Sequence, residues 1–276
     1  MLQAVGDPPA ESQVGLRSTL ATQGYFLACQ ARPQADLELR SAAGPEPVEA
    51  RLVERCDVST DVVRLMIVPS QPLGHRPGQY LDILLPSREP RSYSIASLPA
   101  EEPLELHVRR VPAGVVSNWL HAAPVGQPLQ VRGSFGQCFY SDEERDRRLL
   151  LVGAGTGLAP LLGILRDALG RGHQGAIDLV HGALEPARLY LRDEQSALER
   201  AWPQLRVHHC VLRNATRSEH EGALDDVAIR LAGPLEESRV FLCGDDAIVR
   251  KLQRSLFLAG LPSNPILADP IAPAGR

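Results

Sequence analysis

Two short runs in this 276-residue chain carry residue types suited to holding a phosphate-bearing ligand. The first is Gly153-Ala154-Gly155-Thr156-Gly157, which follows the apolar RLLLV and leads into Leu158-Ala159-Pro160. Glycines at alternate positions allow a tight turn and a close approach of backbone to a ligand. A helix starting there would aim free N–H groups at a pyrophosphate, with Thr156 as its predicted cap. The run is not G-x-G-x-x-G, so a ligand-free strand-to-helix connection is the alternative. The second run is Arg91-Ser92-Tyr93-Ser94. Arg91 can fork onto a phosphate, the Tyr93 ring can lie against a planar heterocycle, and Ser94 offers a small donor and acceptor beside that ring. A half-exposed ordinary strand would read the same way.

Two further segments have weaker chemistry of their own. Gly114-Val115-Val116-Ser117 predicts a helix N-terminus near Ser117, where unpaired N–H groups favour an anion, although an ordinary serine cap also fits. Cys243-Gly244-Asp245 ends the apolar run VFLCGD, and in a parallel sheet that strand end is where ligands bind. A small buried hydrophobe is the alternative there. His208, His209 and Cys210 are read as strand residues, because neighbours along a strand point to opposite faces.

The elements that would position these residues fall into three regions. Residues 1–47 are polar and loop-like and end in a Gly/Pro linker. Residues 48–142 hold short strands cut by Pro and Gly, the pattern of an antiparallel barrel or sandwich. Residues 143–276 alternate apolar strands with helices, among them a helix after Gly157 with Leu158, Leu161, Leu162, Leu165 and Leu169 on one face. That alternation predicts a parallel sheet covered on both sides. The fold class is a β-barrel followed by an α/β domain.

Composition narrows the function classes. The formal net charge is −4 and no Lys/Arg block stands out, so neither nucleic acid nor an anionic membrane is the expected partner. No apolar run is long enough to span a bilayer. Five scattered cysteines without C-x-x-C argue against a disulfide framework or structural zinc and fit the cytoplasm.

Taken in order, RSYS, GVVS, GAGTGLAP and CGDD closely resemble the ferredoxin–NADP reductase superfamily, in particular bacterial NADH-dependent oxygenase reductases with an N-terminal plant-type [2Fe–2S] domain. The resemblance runs from about Leu27 to the C-terminus. It implies a Greek-key flavin-binding barrel and a nicotinamide-binding domain, with FAD as the flavin. Arg91, Ser92, Tyr93 and Ser94 would then hold the flavin phosphate, ring face and N5 region. His107, Val108 and Arg109 would lie beside the flavin through their backbone, and Gly114, Val115, Val116 and Ser117 would cradle its pyrophosphate. Gly153, Gly155, Thr156, Gly157 and Pro160 would bind the nucleotide of NAD(P)H. Cys243, Gly244 and Asp245 would meet the nicotinamide, with Ser94 and Cys243 at the reacting centre. The implied activity is hydride transfer from NAD(P)H to the flavin and single-electron release to an iron–sulfur protein or oxygenase component. A non-catalytic flavin-binding subunit is the alternative, and oxygen, a dye or another domain is an alternative acceptor. After LVHGA, Glu185 suits a ribose hydroxyl and Arg188 a 2′-phosphate, so the nicotinamide is open, with NADH favoured by the resemblance.

Three departures qualify that expectation. CGDDAI replaces the common C-G-P-x-x-M, which would bring Asp245 and Asp246 near the nucleotide. Ile271 stands where the family ending carries an aromatic. Finally, Cys29 in YFLACQARP resembles the fourth cluster cysteine, yet residues 1–28 contain no other. Residues 1–47 therefore read as the remnant of a ferredoxin domain and linker, with Met1 an internal start or a truncation. A [2Fe–2S] cluster is expected only if a partner chain or a missing segment supplies ligands.

Overall fold

The computed structural model describes residues 1–16, 18–40, 45–86, 89–231, 237–263 and 265–271. The chain divides into two units, Met1–Glu46 and Pro47–Arg276. In the first, strand β1 (Leu2–Gln3) pairs antiparallel with β2 (Tyr25–Phe26), and helix α1 spans Ser18–Ala21. Ala4, Leu20 and Phe26 are its buried apolar residues, a very small core. Gln13 Nε2 ties the segment together by donating to the carbonyls of Ala21 and Tyr25.

The second unit begins with six strands whose apolar residues alternate as a half-buried sheet requires. These are β3 (Val48–Asp57), β4 (Val62–Pro69), β5 (Tyr80–Leu84), β6 (Arg91–Ser94), β7 (Leu104–Arg109) and, after helix α2 (Val115–Ala122), β8 (Pro128–Phe135). They pair antiparallel in the order β6-β5-β8-β3-β4-β7, and a bridge between Ile95 and Leu106 joins the two edges into a barrel. Leu52, Val63, Leu65, Ile67, Leu81, Ile83, Leu106, Val108 and Val131 fill it, with Val116 and Leu120 of α2 packed against them. Helix α2 starts at Val115 with Gly114 as its N-cap, two residues before the position expected from Ser117. Strand β7 is buried on both faces. Leu106 and Val108 point into the barrel, while Glu105 and His107 are buried on the other side.

The α/β part runs β9 (Arg148–Ala154), α3 (Leu158–Gly170), β10 (Ile177–Ala183), α4 (Arg192–Ala201), β11 (Leu205–Val211), β12 (His220–Glu221), α5 (Leu224–Leu231), β13 (Ser238–Asp245), α6 (Asp246–Leu258) and β14 (Ile266–Ile271). All its strands are parallel, in the order β12-β11-β10-β9-β13-β14. Leu149 and Leu151 face α3 on one side of the sheet, and Leu150 and Val152 face α5 and α6 on the other. The five leucines expected on the core face of α3 are all buried, each worth about 1.5–3 kcal/mol. Helix α4 and strand β14 escape sequence reading for physical reasons. The former, RDEQSALERA, is mostly charged and polar, and the latter holds Pro270, tolerated because β14 is an edge strand. Among the described residues no helix is long and apolar enough to cross a membrane, and no group of three or more His, Cys, Asp or Glu could hold a metal ion.

Candidate functional site

The strand order reverses direction between β9 and β13, so the C-terminal ends of these neighbours open a crevice. Gly153–Gly157 leaves β9 there, and Cys243–Asp245 leaves β13 beside it, with Cys243 opposite Gly153 in register. The three glycines of the loop have different reasons. A Cβ on Gly157 would collide with the Cys243 carbonyl and the Gly244 nitrogen, and one on Gly153 would stand 2.7 Å from Leu161 Cδ1. Only Gly155, at φ +54°, faces open space. Two glycines thus serve packing inside the protein, and one presents backbone outward.

Thr156 does not cap the helix. Residues Gly155–Gly157 form a 3₁₀ turn, Gly157 is the N-cap of α3, and no side chain accepts from the first-turn N–H groups. Pro160 lies buried in that first turn, where its missing N–H costs nothing. An uncapped helix start behind a left-handed glycine in open space is a cradle that fits a pyrophosphate.

Strand β6 brings the RSYS residues to the facing edge of the barrel. Arg91 is partly exposed, donating to the Pro90 carbonyl and pairing with Glu89, and Ser92 donates to Asp82. The Tyr93 ring is partly buried beside the barrel core, and burial lifts its phenol far above the usual value. Ser94 Oγ donates to Asp269 Oδ2 at 3.3 Å, and Asp269 is the register partner of Cys243. Ser94, Asp269 and Cys243 therefore meet where barrel and sheet edge join. Burial raises the Asp269 carboxyl to about 6, against the Ser94 hydrogen bond, which lowers it.

Gly114 caps α2 without a side-chain bond, leaving first-turn N–H groups for an anion. Ser117 is the third helical residue, and its hydroxyl is occupied internally, accepting from Val111 N and donating to the Gly114 carbonyl. Val115 is exposed and Val116 buried. In β7, Val108 points into the barrel and Arg109 is exposed. The His107 side chain turns away from the barrel interior, towards the α/β part. Its Nε2 donates to Glu105 at 2.8 Å and its Nδ1 lies 2.9 Å from the Tyr190 hydroxyl.

Cys243 is fully buried, 3.9 Å from Cys138 Sγ, and burial together with that neighbour pushes its thiol well up, so it stays neutral. The two aspartates after it have structural partners. Asp245 caps α6 by accepting from Ala247 N at 3.0 Å, and Asp246 pairs with Arg250 one turn on. Both carboxylates are thus engaged by α6. Arg188 is engaged by Asp61 at 2.6 Å and lies 3.9 Å from Glu185. Cys29, in the N-terminal unit, is exposed in a turn.

Asp269 and Tyr190 are the site residues that sequence reading missed. An acid inside the apolar LADPI was the available signal for the first; nothing in LYLRD distinguishes Tyr190 from a core aromatic.

Comparison with known proteins follows the same division. Residues 49–140 match the oxidoreductase FAD-binding domain family and residues 151–254 the oxidoreductase NAD-binding domain family. The ferredoxin–NAD(P)+ reductase component of the naphthalene 1,2-dioxygenase/salicylate 5-hydroxylase systems of Ralstonia sp. is 32% identical over 260 residues, 91% of this chain and 79% of that protein. The corresponding naphthalene 1,2-dioxygenase component of Pseudomonas putida is 30% identical over 94% of this chain and 81% of its own length. Among solved structures, the Amycolatopsis cytochrome P450 reductase superposes with a TM-score of 0.79 at 29% identity, covering 99% of this chain and 87% of that one.

Proposed function

The chain belongs to the FAD- and NAD-binding oxidoreductases of the ferredoxin–NADP reductase superfamily, and on that premise we propose that it carries electrons from NADH, through FAD, to the iron–sulfur component of an oxygenase system. The single observation that carries this reading is the meeting of Ser94, Asp269 and Cys243, where the flavin-side strand of the barrel touches the strand end at the sheet's switch point. When bound, flavin and nicotinamide would supply the redox chemistry, hydride transfer and single-electron release.

The protein's own residues bind, orient and exclude. The N–H groups at Gly155–Gly157 would hold the nucleotide pyrophosphate, and those at the start of α2 would hold that of FAD. Arg91 and Ser92 would hold the flavin phosphate and Tyr93 would lie against its ring. The neutral Cys243 thiol and the Ser94 hydroxyl would line the place where nicotinamide meets flavin without presenting a charge to it. Asp269 Oδ2 holds the Ser94 hydroxyl in one orientation. Cys29, within residues 1–47, resembles a cluster cysteine of a plant-type iron–sulfur domain, and the protein works in the cytoplasm. The alternative, a non-catalytic flavin-binding subunit, rests on Asp245, Asp246 and Ile271; the capping and pairing of the two aspartates give them a structural role in α6 instead.

The test is to purify the protein, record its flavin spectrum, and mix it anaerobically with NADH and with NADPH. Bleaching of bound flavin, followed by reduction of an added ferredoxin, is the expected outcome. A flavin that neither nucleotide bleaches would refute the reading.

A further inference from the structure

A buried polar chain crosses from the barrel to the α/β part, and the hydride-transfer scheme above does not use it. It starts on the outer face of β7. Glu105 accepts from Arg166 of α3 at 3.1 Å through one oxygen and from His107 at 2.8 Å through the other. Burial alone would raise the Glu105 carboxyl, but His107 and then Arg166 outweigh it and bring it down to about 2, so it is an anion that only accepts. His107 must therefore donate from Nε2. Its Nδ1 lies 2.9 Å from the hydroxyl of Tyr190, whose phenol burial keeps protonated.

Tyr190 continues the chain into the nucleotide side. Its ring meets that of His107 edge-on at 5.4 Å and that of His181 edge-on at 5.3 Å, at interplanar angles of 81° and 88°. Its carbonyl accepts from Gln195 Nε2 at 2.8 Å, and the same amide lies 3.5 Å from His181 Nδ1. His181 stands on β10 opposite Gly153 and is itself fully buried, close to the backbone of Gly155. One end of the chain thus lies on the strand that flanks the flavin, and the other lies against the loop that holds the nucleotide.

Resting on the proposed reductase activity, we infer that Tyr190 is a positioning residue whose hydroxyl, bonded to His107, sets the spacing between the Gly153–Gly157 loop and strand β7 and so the approach of nicotinamide to flavin. Three features favour positioning over simple core filling. The bond joins the two halves of the catalytic unit rather than residues of one. Both ring nitrogens of His107 are engaged, by Glu105 and by Tyr190, so the ring's orientation is held. The ring alone would fill the same space as phenylalanine, so the hydroxyl adds geometry and almost no volume.

The structure supplies a matched control. Tyr140 makes the same kind of contact with His173, 3.1 Å from hydroxyl to Nδ1 and edge-on at 5.6 Å and 79°, but His173 lies just past the C-terminal end of α3. At 13 residues α3 is about 20 Å long, so that pair is remote from the nucleotide loop.

The experiment compares flavin-loaded wild type, Tyr190→Phe and Tyr140→Phe. Anaerobic stopped-flow with saturating NADH should show flavin reduction slowed about tenfold in Tyr190→Phe and less than twofold in Tyr140→Phe, because a misplacement of well under 1 Å is enough for such a loss. The flavin midpoint potential and the apparent Kd for NADH should stay within twofold-equivalent limits in both. Amide hydrogen exchange on the ligand-free proteins gives a second readout, with residues 153–158 exchanging several-fold faster in Tyr190→Phe and β3 unchanged. Equal rates for wild type and Tyr190→Phe, or equal slowing in both variants, would overturn the inference. If Tyr190→Phe does not retain flavin, exchange in the ligand-free protein decides alone, and unchanged exchange at 153–158 overturns it. A wild type that NADH fails to reduce would instead count against the reductase reading.

Discussion

Replacing Asp269 with asparagine should stabilise this protein near neutral pH. The carboxyl is partly buried at the join between barrel and sheet, and burial raises it from the ordinary 3.8 to about 6. That rise corresponds to about 3 kcal/mol of disfavoured ionisation, trimmed to about 2 kcal/mol by the remaining solvent exposure. The sign follows from proton counting. Between about pH 4 and pH 6 the folded chain keeps a proton that the unfolded chain has released, so stability falls as pH rises through that window. Above it the penalty is complete. Asp269→Asn keeps the shape and an acceptor for Ser94 but cannot ionise. At pH 8 and fixed excess FAD it should therefore melt about 4–8 °C higher than wild type, and near pH 4 the two should coincide. Thermal melts across pH 4–8 provide the assay. Equal melting of the two proteins at pH 8, or the same decline between pH 4 and 6 in both, would refute this account of the carboxyl.

Other perturbations separate packing from ligand roles. Gly157→Ala sets a Cβ against the backbone of Cys243 and Gly244, which cannot yield, and should cost about 1–3 kcal/mol in melts; Gly155→Ala, in open space at φ +54°, should cost about 1–2 kcal/mol and raise KM for NADH. Asp245→Ala removes the cap of α6 and should lower stability by about 1 kcal/mol in denaturant titrations, with flavin reduction by NADH retained. Asp61→Asn frees Arg188 from its 2.6 Å partner, and kcat/KM for NADPH relative to NADH should rise several-fold in steady-state assays.

The sequence by itself determined the two sheet types, because their signals are local. Alternation in β3, β4 and β5 and continuous apolar runs in β9, β10 and β13 each follow from whether one or both faces of the strand are covered. It also marked Gly153–Gly157, Ser94 and Cys243, since glycine spacing and strand-end position are written along the chain. Only the tertiary structure decided what these residues touch. Asp269 lies 175 residues from Ser94 and Tyr190 lies 83 from His107, and no periodicity links positions so far apart. The roles of Thr156, Ser117 and Asp245 likewise depend on where a helix begins, a matter of one or two residues that local pattern leaves open. Whether a glycine makes room for a ligand or for a neighbouring strand is a question of packing. Gly157 against Cys243 and Gly155 against open space answer it in opposite ways within three residues.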